Sequence, residues 1–177
     1  MIVTDRLVLR RWRRDDILPF HAMGQDQEVM RYLGPPMSIE ECVRVRRRMN
    51  AIHGNRGHSF WALERRADNA FIGFCGLMPG TPPIDGQVEV GWRLARGAWG
   101  QGLAGEAARA TLKWAWEHLS VPAIVAVTVP ANRRSRALME RLGMERLRGG
   151  DFGHPDHAAG HPLHHQIRYA IARPAHV

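Results

Sequence analysis

Residues 97–106, GAWGQGLAGE, constrain the fold more than any other stretch of this chain. Before them QVEVGWRL (87–94) alternates like a half-buried strand, and after them Ala104, Ala107, Ala108, Thr111, Leu112, Ala115 and Leu119 recur at helical spacing. Gly97, Gly100, Gly102 and Gly105 fall at the junction. A strand, a sharp turn and a helix must therefore follow within a few residues. In such a turn several backbone N–H groups converge at the positive end of the helix dipole. Glycine lets an anion approach that backbone closely. Packing of a tight strand-to-helix turn would need one such glycine; four in a row of nine residues predict an anion site.

Three anions compete for it. Gly97 and Gly102 frame the G-x-x-x-x-G of a nucleotide-binding loop, but Leu103-Ala104 stand where lysine and a magnesium-binding hydroxyl are needed. Gly100-x-Gly102-x-x-Gly105 spells the dinucleotide fingerprint. Against it, the preceding strand carries Glu89 and Arg93, poor chemistry for a central parallel strand. The following strand ends in Val129-Pro130-Ala131-Asn132, with no acid for a ribose hydroxyl. A phosphate held by backbone donors alone is what remains.

The rest of the chain reads as one domain over residues 1–177, without repeat or linker. Leu7 to Trp12 open a strand, and DDILPFHAM a short helix. QEVMRYL (27–33) is a second helix. Ser38 and Glu41 form a capping box for a third that runs to about His53 and stops at Gly54 to Gly57. SFWALE (59–64) and FIGFCGL (71–77) flank a polar turn and predict a hairpin. AIVAVTV (123–129) is a strand buried on both faces, Asn132 caps a helix ending at Gly143, and two strands close the chain near 144–148 and 166–172. Strands in series with helices interleaved late give an α+β fold with a mixed sheet of about seven strands.

Composition narrows the function. The net charge of +8 invites a nucleic-acid reading, but the basic residues are scattered and, apart from Lys113, are all arginine or histidine. Nucleic acid is therefore not the expected partner, and a polyanionic small ligand suits the charge equally well. No run approaches the roughly 18 apolar residues of a membrane span, and MIVTDRLVLRRWRRDD is no signal peptide. Cys42 and Cys75 form no C-x-x-C, which fits a reduced, cytoplasmic setting.

QVEVGWRLARGAWGQGLAGEAARATL followed by VAVTVPANRRSRALMERLGME resembles the acetyl-CoA site of the GNAT N-acetyltransferases, in particular the Rim-type branch of ribosomal-protein-alanine acetyltransferases. TDRLVLRRW, QEVMRYLG with PPMSIEE, FWALERRADNAFIGFCGL and the tail FGHP…GHPL…RYAI extend the likeness over nearly the whole chain. The family's turn begins with glutamine or arginine; here Gly97 stands there, with Arg96 one residue early, while the Trp99-Gly100-x-Gly102 core is kept. The resemblance implies a single-domain GNAT-like fold and acetyl transfer from acetyl-CoA to an amine, of a protein N-terminus or a small molecule, without a metal. Gly97, Trp99, Gly100, Gln101, Gly102, Leu103, Ala104 and Gly105 would hold the pyrophosphate. Arg93, Leu94 and Ala95 would pair through their backbone with the pantetheine amides and polarise the thioester carbonyl. A homodimer is common for this architecture.

Glu89, an acid between Val88 and Val90, is the candidate general base; alternation also allows it to face solvent. Asn132 caps a helix, and the resemblance adds contact with the cofactor. Ser135 lies in register with Leu138, Met139 and Leu142, and Met139 stands where many relatives carry a tyrosine acid. Ser135 is thus the candidate for contacting or protonating the coenzyme thiolate. The alternative is a helix-start hydroxyl bonded to backbone. His154, His157, His161, His164 and His165 lack metal-ligand spacing and predict an acceptor-side loop instead. Trp61 and Trp99 are candidates to line the cleft. Two other classes remain open at this level: a non-catalytic acyl-CoA-binding module and a basic RNA-binding domain.

Overall fold

The computed structural model describes residues 1–175; His176 and Val177, the last two residues assigned to the domain, lie outside the described residues. Nine strands form the sheet: β1 (Ile2–Val3), β2 (Leu7–Arg10), β3 (Phe60–Arg65), β4 (Ala70–Pro79), β5 (Val88–Leu94), β6 (Ala123–Thr128), β7 (Glu145–Arg146), β8 (Phe152–Gly153) and β9 (His165–Ala172). The helices are α1 (Ile17–Gln25), α2 (Gln27–Met30), α3 (Ile39–Arg56), α4 (Leu103–His118) and α5 (Arg133–Arg141). The seven expected strands are present, and the two extra ones, β1 and β8, are two-residue edge pairings too short to show periodicity.

The strand order is β1-β2-β3-β4-β5-β6-β9-β7, with β8 also on β9. All neighbours are antiparallel except β5 and β6, which α4 connects and which run parallel. Their pairing is confined to Glu89↔Val125, although β5 continues to Leu94 and β6 to Thr128. The two strands part beyond that point. A V opens in the sheet toward their C-terminal ends, where α4 and α5 begin.

Strand alternation divides the core in two. Val90 and Leu94 of β5, Ile124 and Ala126 of β6, and Ile167 and Tyr169 of β9 pack with Ala107, Ala108 and Leu112 of α4 and Leu138 and Met139 of α5. On the opposite face Trp12, Phe20, Met23, Cys42, Met49 and Met78 pack beneath α1 and α3, with Phe60, Phe71 and Phe74 beside them. Glu89, Gly91 and Arg93 alternate onto this second face.

Two helices differ from expectation for local reasons. The second ends at Met30 rather than Leu33, because a hydrogen-bonded turn from Leu33 N–H to Met30 O leads the chain into Gly34-Pro35-Pro36. The third runs through Gly54 and stops at Gly57, whose φ of 77° supplies the left-handed cap. Its Ser38–Glu41 capping box is formed as expected. The buried Arg10 anchors the start of α1, reaching Asp16 with two bonds of 2.8 Å and Glu64 with one of 2.6 Å.

Candidate active site

The glycine turn takes the form the sequence predicted. Residues 96–98 make one 3-10 turn, Gly100 and Gly102 adopt φ of 74° and 75°, and α4 starts at Leu103. Among the described residues no acceptor takes up the N–H groups of residues 100–105, and the first bonded donor is Glu106 N–H on Gly102 O. A Cβ added at Gly97 or Gly100 would meet nothing within 4 Å, and at Gly102 only an Arg6 nitrogen at 3.6 Å. Free donors around open space at a helix N-terminus fit a pyrophosphate. Gly105 differs: its missing Cβ faces Leu138 at 3.5 Å, so its smallness also serves the contact of α4 with α5.

Side chains brace the turn from several directions. Trp99 Nε1 donates to Leu94 O at 2.9 Å, and Gln101 Nε2 donates back to Gly97 O at 2.8 Å. The Gln101 side chain thus holds the loop rather than pointing outward. The Arg134 guanidinium of α5 lies 4.5 Å above the Trp99 ring and joins the two sides of the V. Arg6 donates to Gln101 O at 2.9 Å and to Glu106 at 2.7 Å. It sets a cation beside the free donors. Neither Arg6 nor Arg134 was marked by the sequence pattern, because each meets the turn only through the fold.

The strand leading into the turn corrects one expectation. Ala95 N–H donates to Ile72 O at 2.9 Å, so it faces β4 and not the opening. By antiparallel alternation Arg93 also turns its backbone to β4, while Trp92 and Leu94 turn theirs toward β6. Of the trio Arg93, Leu94 and Ala95, only Leu94 presents its N–H to the V, and Trp92 joins it. Trp61 is a second correction. It is 1% exposed in the core beneath α4, where it lines no cleft.

Glu89 sits at the vertex, opposite Val125 at the last paired position of β5 and β6. Met78 is its β4 register partner, no hydrogen-bond donor among the described residues meets its carboxyl, and burial pushes its pKa up to about 7. A carboxylate in apolar surroundings near neutrality is poised to exchange a proton. Across the V, Asn132 Oδ1 accepts Ser135 N–H at 3.2 Å and caps α5 as expected. Among the described residues the Ser135 hydroxyl has no hydrogen-bond partner.

The histidine segment folds as a loop beside β8 and β9. His164 Nδ1 lies 2.6 Å from His157 O, and the His157 and His161 rings stack at 4.4 Å. Among the described residues no group of three or more His, Cys, Asp and Glu could hold a metal ion.

A parted parallel strand pair, a donor-lined turn and two helix N-termini at one end describe a cleft for a phosphate-bearing ligand. The acetyltransferase (GNAT) domain family matches residues 6–145. The chain belongs to the GNAT acetyltransferase family. It is an acetyl-CoA-dependent N-acetyltransferase. It is 31% identical to the uncharacterized protein YkkB of Bacillus subtilis over 147 residues, covering 81% of this chain and 84% of that one. It is 30% identical to the FsC-acetyl coenzyme A-N(2)-transacetylase of Aspergillus fumigatus over 132 residues, covering 69% of this chain and 55% of that one. A solved acetyltransferase of Agrobacterium tumefaciens superposes with a TM-score of 0.76 at 27% identity, covering 96% of this chain and 92% of that chain.

Proposed function

We propose that this acetyltransferase moves its acetyl group directly to a primary amine, both substrates being bound together, with Glu89 as general base and Ser135 as general acid. Acetyl-CoA supplies the activated acetyl thioester. The turn from Gly97 to Gly105 holds its pyrophosphate through free N–H groups, with Asn132 and Ser135 of α5 on the other side of the V. Leu94 N–H polarises the carbonyl, and a single donor of this kind is worth roughly a hundred- to a thousandfold in rate. The amine enters from the face beneath α1 and α3, where Glu89 takes its proton directly or through water. Ser135, on the α5 side, gives a proton or a hydrogen bond to the departing sulfur.

The observation that carries this reading is the placement of Glu89 at the vertex of the V, its pKa pushed up to about 7 by burial, on the face opposite the cofactor helices. One substrate can approach from each side of the sheet. The Trp99-Gly100-x-Gly102 core and the serine at 135 further favour the Rim-type branch. Initial velocities measured against acetyl-CoA and an amine test the scheme. Intersecting double-reciprocal lines are expected for transfer within a ternary complex. Parallel lines would indicate an acetylated enzyme and rule out direct transfer.

A further inference from the structure

Arg93 and Arg10 are two guanidinium groups of the same sheet with opposite surroundings. Arg10 is buried and matched by Asp16 and Glu64. Arg93 projects beneath α1 with its charge 5.3 Å from the Phe74 ring and 5.9 Å from the Phe20 ring. Its Nε and Nη1 are buried without a hydrogen-bond partner, and among the described residues it forms no ion pair. The titratable group it feels is the Cys42 thiol, itself pushed up by burial. A cation held this way is costly until an anion joins it. Burial lowers the Arg93 pKa to about 10, so the group stays charged at neutral pH.

Its position gives the charge a use. Arg93 directly precedes Leu94, whose N–H faces the V, and shares the acceptor face with Glu89. Between them Gly91 carries no side chain, and the Phe60 ring covers it, 2.9 Å from where a Cβ would sit. Arg168 of β9 alternates onto the same face, opposite Ile167 and Tyr169, and its Nε is also buried without a partner. Arg93 thus places an unpaired cation on the face on which the amine arrives.

We infer that the acceptor is an amine that also bears a carboxylate, which Arg93 receives. The inference rests on the transfer reading above and names the class of its acceptor. The amine points into the V, the carboxylate turns back under α1, and an apolar body lies against Phe60. A polyamine, cationic throughout, meets repulsion on this face. The carboxylate can belong to a free amino acid or to an acidic first residue of a polypeptide.

Binding and turnover are measured separately. With coenzyme A saturating, N-acetyl amino acids and their primary amides are titrated calorimetrically; the two differ in the carboxylate and have no titrating amine. The acid should bind about ten- to a hundredfold tighter, the usual worth of a hydrogen-bonded charge. Arg93→Met should erase that preference, and Arg93→Lys, which keeps the charge, should retain part of it. The affinity for coenzyme A in the same titrations reports whether each variant still builds the cleft. Equal binding of acid and amide by the wild-type protein, or an undiminished preference in Arg93→Met, overturns the inference. Thiol release is then followed with free amino acids, diamines, and short peptides opening with aspartate or asparagine. Preference for aspartate peptides over both asparagine peptides and amino acids assigns the carboxylate to a polypeptide and sustains the role of Arg93. Preference for diamines overturns it while leaving acetyl transfer intact. Selective binding of the acids with no thiol release from any amine overturns the transfer reading and leaves Arg93 as a carboxylate site.

Discussion

Glu89→Gln should change both the pH profile of turnover and the stability of the fold, in opposite directions. The Glu89 pKa of about 7 lies well above its ordinary 4.5 because burial disfavours the charge. Wild-type kcat should therefore fall about tenfold per pH unit below 7 and flatten above it. Glutamine takes no proton, so the variant depends on amine that has already lost its own. At pH 7 that fraction is about one tenth for an α-amine of pKa near 8 and under one thousandth for a lysine-like amine of pKa near 10.4. The loss should thus be about ten- to a thousandfold at neutrality and close as pH approaches the pKa of the amine. Its size identifies the amine.

The same shift bears on folding. A raised carboxyl pKa means stability is fullest below pH 4.5, declines between 4.5 and 7 as the unfolded chain ionises first, and is constant above. The difference of 2.5 pH units sets an upper bound of about 3 kcal/mol, and the partly accessible side chain reduces it to roughly 2. Glu89→Gln should accordingly raise Tm at pH 8 by roughly 4–8 °C, at 2–4 °C per kcal/mol for a chain of this length. Little change is expected at pH 4. Thiol release followed from pH 6 to 10, with thermal unfolding at both ends, reads the two effects. A loss of turnover by one factor at every pH would show that Glu89 positions rather than titrates. A Tm that falls at pH 8 would show that its burial is not a strain on the fold.

Other substitutions probe the remaining parts. Ser135→Ala should lower turnover about ten- to a thousandfold across the whole pH range, with coenzyme A binding weakened only a few times. Gly102→Val should sharply weaken coenzyme A binding in calorimetry, because a branched side chain at φ 75° strains the turn and covers its donors; intact affinity with lost stability would assign the glycines to packing. Coenzyme A at a concentration a thousand times its Kd should stabilise the fold by about 4 kcal/mol and raise Tm by several degrees, and no shift would remove the cofactor site. Asp16→Ala should cost about 3 kcal/mol in denaturant unfolding, since it strips the buried Arg10 of its bidentate partner.

Much of this was legible in the sequence where the signal is local. The glycine turn, the Ser38 and Asn132 caps and the strand QVEVGWRL each reside in a few adjacent residues, so pattern and spacing reveal them. The parting of that strand from β6 does not show in the sequence. What stayed hidden depends on contacts between distant segments. Arg6 reaches Gln101 only because β2 lies near the start of α4, and Arg134 meets Trp99 only because the V brings α5 to the turn. The direction of backbone groups was hidden too: which of Trp92, Leu94 and Ala95 faces the opening is set by register with β4. Arg93 was legible as an awkward charge in a strand, but its lack of a counter-ion emerges only from packing.

The central claim is that this cleft joins an acetyl group to an amine. The most direct test incubates the protein with acetyl-CoA and a broad set of amines, following thiol release together with the mass of each product. Thiol release should be accelerated by particular amines, each recovered as its N-acetyl derivative in an amount equal to the thiol. Firm binding of acetyl-CoA, with no amine raising thiol release above slow hydrolysis, would contradict it.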